Sequence, residues 1–451
     1  MRLHKIVIDN FRCFEHLELD FDGQVNDHDT GCVDVLVAAN GQGKTAVLDA
    51  IKYLLGVIVS RFGGSSPKPK DSDYRTIWKL DDLGLTFDAE VKAPFMRLMA
   101  DAGFCWDLTR QRDKSEKTLA ATPSGFGIKA ANAFADEFID SENASEPKKL
   151  PILAYFGTRR SVIWKKPERR RNFTKVFKRF DAYKTALDGM LDYKNLMAWV
   201  DYVEDKQRRE KEALHDFNYQ SLEVRTINLA ISKMLTGFSN LRTTTNPLNL
   251  VVDVLEGGEK RTCTLDEQLS DGYKNVLVLV LNIVQRMIEA NGAISADSPE
   301  EVLASDGIVL IDEVDLFLHP SWQQHILPDL RKTFPNIQFI VTTHSPQVVS
   351  SVDKACVTVL NGGMVNRLSR QTQGVESHQI LEQVFGVSPE PPDDPFVQML
   401  RAYARLAKPG ARETQELNEM KRLLENHFGA DYSPLMKIEI ARRFAPRRPQ
   451  D

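Results

Sequence analysis

At 451 residues the chain is too long for one ordinary core, and roughly one domain per 150 residues predicts two or three folded units. Apolar residues make up 42% and charged residues 27%, with 25 Gly and 21 Pro, which excludes wholesale disorder and collagen-like or low-complexity sequence. Lys and Arg number 58 against 63 Asp and Glu, so the net charge is -5 and any nucleic-acid contact must come from a local patch. The five cysteines, at 13, 32, 105, 263 and 356, include no C-x-x-C pair, which argues against a disulfide framework or a zinc finger and for a reducing compartment. No apolar region precedes Asp9, and the longest apolar run, 276–281, is far below the roughly 20 residues that span a bilayer. A cytoplasmic protein without membrane contact is predicted.

Strands are expected at 3–9, 17–21 and 33–37, the last running through a Gly-rich turn into an apolar helix over 46–55. Two more strands fit 85–91 and 104–109, and 113–149, with few large apolar residues, reads as a surface excursion. A buried strand is expected at 150–156. From about 175 to 236 the period becomes helical, with Leu196, Trp199, Val200 and Val203 on one face and Ile227, Ala230, Ile231, Met234 and Leu235 on another. The heptads are not sustained, so this is a helical insertion or short hairpin and not a long coiled coil. A strand at 248–255 and a helix from 273 to about 289 follow, then strand 308–311, helix 320–332, strand 337–342 and strand 357–360. Such alternation predicts a parallel sheet with covering helices. After about 376 only helix signals remain. Asp394 and Pro395 open a helix whose stripe Phe396, Met399, Leu400 and Tyr403 must face either the preceding core or another chain.

The strand at 33–37 leads into Ala38, Ala39, Asn40, Gly41, Gln42, Gly43, Lys44 and Thr45, which meets G-x-x-x-x-G-K-[ST] except for Ala38 at the first glycine. Such a loop turns backbone N–H groups toward phosphate oxygens at a helix N-terminus. Lys44 is expected to reach the β- and γ-phosphates, and the Thr45 hydroxyl to face Mg²⁺. Ala38 fits if its φ is negative. The strand 308–311 delivers Asp312 and Glu313 at its carboxyl end: Asp312 to hold Mg²⁺, Glu313 to orient and deprotonate water. His344, in Thr342-Thr343-His344-Ser345-Pro346, follows the next strand and is placed to bond a γ-phosphate. Leu269-Ser270-Asp271-Gly272 opens the helix at 273 and taken alone is no more than an N-cap.

In that order the four motifs resemble the ABC-type ATPases, and the Asn10-Phe11-Arg12 opening is similar to the RecF, Rad50, SMC and OLD branch. Asp312 to Pro320 looks like that branch's extended Walker B and D-loop. The resemblance implies an α/β fold: a P-loop NTPase head with a mostly parallel sheet, an antiparallel β lobe, a helical insertion and a C-terminal helical tail. The implied division is 1–160, lobe I; 161–240, basic and helical insertion; 241–375, lobe II; and 376–451, an oligomer or partner module. ATP and Mg²⁺ are the implied cofactors. Arg12, residues 40–45, Ser270, Gly272 and Asp315 would bind nucleotide, Thr45 and Asp312 the metal, with Glu313 and His344 catalytic. Head dimers would sandwich ATP, the signature at Ser270 and Gly272 facing the partner's phosphate loop. More narrowly, residues 154–160 and the helical tail look like the PtuA ATPases of Septu and retron-linked antiviral defence, which act with a separate HNH nuclease, PtuB.

The departures from the wider pattern are informative. No Q-loop glutamine stands after strand 150–156, where Gly157, Thr158 and Arg159 lie instead. The long coiled coil is missing, as is the Toprim domain that OLD nucleases carry, so no nuclease centre is expected in this chain. Between Arg159 and Arg179 ten basic residues face one acid, Glu168, with Trp164, Phe173 and Phe177 interleaved. That segment fits a DNA or RNA groove without base readout, a solvated helix face, or a dock for an acidic neighbour. Three functions stay open: an ATPase controlling a partner nuclease, an ATP-bound scaffold with little turnover, and a RecF-like DNA-repair loader.

Overall fold

The computed structural model of the chain describes residues 1–21, 32–80, 87–160, 178–191, 193–245, 248–388, 390–408 and 414–443. Among them, six strands form a central sheet in the order Met364–Arg367, Val357–Asn361, Cys32–Ala38, Ile337–Thr343, Gly307–Ile311 and Ile152–Phe156. All neighbours are parallel except the edge hairpin made by the first two. Every residue of Gly307–Ile311, Ile337–Thr343 and Ile152–Phe156 is buried, as expected of parallel strands covered on both faces. The expected lobes at 1–160 and 241–375 both contribute strands to this one sheet.

A second, antiparallel sheet takes Phe14–Asp20, Lys5–Phe11, Phe95–Asp101 and Cys105–Gln111 in that order. Helix Lys44–Arg61 packs on both sheets, which is why 14 of its 18 residues are buried and its sequence is apolar on all sides. The helical hairpin is Tyr193–Leu214 and Leu222–Met234. A three-stranded meander, Phe238–Thr245, Leu248–Glu256 and Glu259–Thr264, leads into helix Asp271–Asn291. By length and composition Asp271–Ile294 is apolar enough to cross a membrane, yet 67% of that apolar window is buried inside the protein. It packs on Leu222–Met234 and on strand Ile152–Phe156, the role of a core helix.

Three expectations need correction. The surface excursion at 113–149 contains helix Lys129–Asn143, whose Ala131 and Ala135 are fully buried while Phe134 stacks on Phe104 and Phe138 meets Phe62 edge-on. The i, i+3, i+4, i+7 stripe was present, but two of its members are alanines. The single helix expected over 320–332 is two, Pro320–Gln323 and Ile326–Thr333. Pro328 stands in the first turn of the second; in one continuous helix its ring would clash with the carbonyl of Gln324. Finally, Met1–Ile380 is one compact unit and Leu381–Asp451 another. In the second unit Leu400 and Tyr403 are buried with Leu417, Leu424 and Leu435, and Phe396 stacks on His427 at 3.6 Å. The stripe meets its own unit's helices, because helices 11 to 14 residues long bury enough surface among themselves.

Since the small unit carries its own core, a chain ending at Ile380 is expected to stay soluble and bind ATP. Nucleotide titration of the truncated protein checks this, and an insoluble product counts against it. A second test concerns Asp34, 3% exposed in the phosphate-loop strand. Burial pushes its pKa up to about 7, against the opposing hydrogen bond from Gln338 at 3.1 Å. The folded chain thus holds this proton more tightly than the unfolded one, and its stabilising effect is lost as pH rises through about 7. Asp34→Asn should raise Tm at about pH 8 and leave it nearly unchanged at about pH 4.5.

Candidate active site

The phosphate loop leaves the carboxyl end of strand Cys32–Ala38, where ligands of open parallel sheets bind. Ala38 ends that strand in extended conformation, so the missing first glycine brings no backbone penalty. Gly43 is the position that admits nothing else. Its φ is +92, and a Cβ there would lie 2.4 Å from the Phe14 ring and 2.6 Å from Cys13 Sγ. Asn40 and Gly41 are exposed, and the Gln42 Oε1 accepts from the Gly362 N–H at 2.8 Å, tying the loop to the edge hairpin. Lys44 is 7% exposed and donates to the carbonyls of Ala38 and Ala39 at 2.7 and 3.3 Å. Burial lowers its pKa, while Asp312, Glu313 and Asp315 oppose that shift.

Strand Ile337–Thr343 separates the phosphate-loop strand from the acid strand, so its end bridges the two. Thr45 Oγ1 donates to one oxygen of Asp312 at 3.0 Å, and Thr342 Oγ1 to the other at 2.6 Å. The same Thr342 oxygen accepts from the Glu313 N–H at 2.7 Å. Thr343 Oγ1 donates to Asp315 Oδ1 at 2.6 Å and accepts from the Ser345 N–H at 2.9 Å. Asp312 is 1% exposed, whereas Glu313 and His344 are half-buried. Neither the Glu313 carboxylate nor the His344 ring takes a hydrogen-bond partner among the described residues.

Sequence reasoning missed the roles of Thr342, Thr343 and Arg160. The threonines were quoted only as neighbours of His344; two hydroxyls ending a strand whose preceding run Phe339-Ile340-Val341 is apolar were the available signal. Arg160 follows strand Ile152–Phe156 in a 3-10 turn, 3% exposed, and donates to the backbone carbonyls of Gly157, Asp312 and Glu313. Burial lowers its pKa, with Asp312, Asp315 and Glu313 holding it up. Within the expected basic patch, 161–177 lies outside the described residues. Of the rest, Arg160 and Arg179 point inward, Arg179 donating to the carbonyls of Ala290 and Lys148 at 2.7 and 2.6 Å.

Arg12 is engaged by acids: its Nε donates to Asp73 at 2.9 Å and its Nη1 to Asp49 at 2.7 Å. Ser270 is exposed and caps helix Asp271–Asn291 without a side-chain bond. Gly272 lies against the D-loop, where an added Cβ would sit 3.1 Å from the Phe317 carbonyl oxygen, and Tyr273 meets Trp322 edge-on at 4.8 Å. Among the described residues no hydrogen bond joins Ser270 or Gly272 to the phosphate loop of the same chain.

With that geometry in hand, comparison with known proteins is decisive for the class. The family profile described as "AAA domain" matches residues 5–237, just over half the chain. The chain belongs to the AAA-domain family. A second AAA-domain profile, described for an AbiEii toxin of type IV toxin–antitoxin systems, matches 171–350. The chain is similar to the retron Ec83 probable ATPase of Escherichia coli, at 28% identity over 98% of this chain and 87% of that protein. It is also similar to the retron Vc95 probable ATPase of Vibrio cholerae, at 23% identity over 87% and 82%. The Septu protein PtuA of Bacillus mycoides is 40% identical over 94 residues, 21% of this chain and 12% of that protein. The chain is an ATPase of the ABC type, with its phosphate loop, acid pair and His344 at the carboxyl end of one sheet.

Gly43→Ala should abolish nucleotide binding with little change in Tm, because the clash with Phe14 is resolved by moving the exposed loop. Equilibrium nucleotide titration beside a thermal melt checks both halves.

Proposed function

We propose that two copies of this chain sandwich ATP and hydrolyse it with Mg²⁺, and that nucleotide state controls a separate nuclease in antiviral defence. The observation that carries the sandwich is the signature turn: Ser270 is exposed at the helix start and Gly272 lies against its own D-loop, with no hydrogen bond among the described residues to the phosphate loop of the same chain. A second copy would complete each site. Lys44 would leave the carbonyls of Ala38 and Ala39 for the β- and γ-phosphates. Thr45 and Asp312 place two oxygen donors 3.0 Å apart, a donor set that suits Mg²⁺, which takes few protein ligands beside phosphates and water. Bound there, the ion would neutralise charge developing on the phosphates. Glu313, whose carboxylate has no partner among the described residues, would accept a proton from water, and His344 would bond the γ-phosphate. The defence role is supported by the retron and PtuA relatives, whose resemblance implies an HNH nuclease partner. The presence of Glu313 favours turnover over a passive scaffold, which has no need of a base.

Glu313→Gln should keep ATP affinity and lose hydrolysis, leaving an ATP-bound dimer or larger oligomer on size exclusion. Wild-type turnover in that variant removes Glu313 as the base. Ser270→Arg should bind ATP yet hydrolyse it poorly, and mixing it with Lys44→Ala protein should restore partial activity, since one site of each mixed dimer is intact. Failure of rescue in a mixture shown to exchange subunits argues against the sandwich. Co-purification with an HNH nuclease encoded beside this chain tests the partner.

A further inference from the structure

Strand Ile152–Phe156 runs parallel to the acid strand, with Phe156 opposite Ile311 and the Asp312 N–H on the Phe156 carbonyl at 2.8 Å. The chain then turns at Gly157, and the Arg160 guanidinium folds back beneath the acids. It reaches the Gly157 carbonyl at 3.3 Å, the Asp312 carbonyl, and the Glu313 carbonyl at 2.5 Å. Glu313 itself has φ 49, a left-handed backbone that residues with side chains seldom adopt. Its peptide is gripped on both sides: Thr342 Oγ1 accepts the N–H, and Arg160 donates to the C=O.

We propose that Arg160 is a positioning residue for hydrolysis, holding the Glu313 peptide so that its carboxylate stays aimed at the attacking water; this rests on reading Glu313 as the base. Three features separate this from simple charge neutralisation. The hydrogen bonds go to backbone oxygens, so Arg160 takes up neither the Asp312 carboxylate, which Thr45 and Thr342 hold, nor that of Glu313. The planar fork of a guanidinium spans the two successive carbonyls of Asp312 and Glu313, which a lysine ammonium on its single point of charge does not. Arg160 also stands just past the strand end where the wider pattern has a glutamine, so here an arginine links that strand to the acids.

The test uses the full chain with Arg160→Ala and Arg160→Lys, beside Glu313→Gln, and measures ATP affinity, kcat and KM. Both Arg160 variants should lose about 100-fold in kcat, the scale of a 1 Å misplacement, with affinity within a few-fold of wild type. Millimolar guanidinium should restore part of the kcat of Arg160→Ala and none of that of Glu313→Gln. Wild-type kcat in either Arg160 variant, or a loss confined to KM, overturns the inference. So does a kcat loss that guanidinium leaves untouched, or failure of both variants to fold, since either assigns Arg160 to the scaffold. No turnover in the unsubstituted chain removes the base and this inference together, whereas turnover that survives loss of Arg160 removes this inference alone.

Discussion

The Asp312 carboxylate takes one hydroxyl from Thr45, on the helix after the phosphate loop, and another from Thr342, on the strand between them. At 1% exposure, a carboxylate without such donors would carry a desolvation cost of several kcal/mol. Two charge-assisted hydrogen bonds meet that cost, and they fix the distance between helix Lys44–Arg61 and the acid strand. Everything else in the site is referenced to this junction. The Glu313 N–H uses the same Thr342 oxygen, and Asp315 is held by the next threonine along. A shift of the central sheet at this end therefore moves Asp312, Glu313 and Asp315 together.

The Lys44 ammonium is satisfied by carbonyls of its own loop. Lys44 donates to the carbonyls of Ala38 and Ala39, and burial lowers the pKa of its ammonium while Asp312, Glu313 and Asp315 oppose that shift. Phosphate oxygens would replace two neutral acceptors with charged ones, roughly doubling the strength of each hydrogen bond. The loop is thus pre-shaped rather than collapsed, since Gly43 keeps its left-handed turn against Phe14 and Cys13 by contact with the antiparallel lobe. That lobe, which carries none of the four motifs, earns its place by shaping the loop.

How much of this was legible in the sequence follows from what each residue does. The strand, loop, helix and acid pair were readable because Lys44, Thr45, Asp312 and Glu313 act through side chains at fixed spacing. Arg160 was not, because its work is on backbone carbonyls 152 and 153 residues away, and no spacing encodes a contact of that kind. Helix Lys129–Asn143 was missed because alanines make its contact; close approach of helices is bought by small residues that hydrophobicity patterns undervalue. The edge strand Met364–Arg367 is four residues long and mostly exposed, too short and too polar to register.

The D-loop carries the consequence furthest from the chemistry. Between Glu313 and Leu318 the chain makes two turns closed by Leu316 N–H to the Glu313 carbonyl and Leu318 N–H to the Asp315 carbonyl, with Phe317 also at positive φ. The Phe317 carbonyl rests on Gly272, and Trp322 on Tyr273, so the turn at Gly272 and Glu313 belong to one continuous piece of structure. In the proposed sandwich, the signature of one copy would touch the nucleotide of the other. A ligand shifts a conformational equilibrium only through differential contact with its two states. Contact at the signature would act on the D-loop beneath it, and hence on the Glu313 of the opposite site, without requiring the two nucleotides to meet. The strained backbone at Glu313 and Phe317 places the loop's two least favourable conformations at the ends of that path, where a small displacement has the greatest effect on the base.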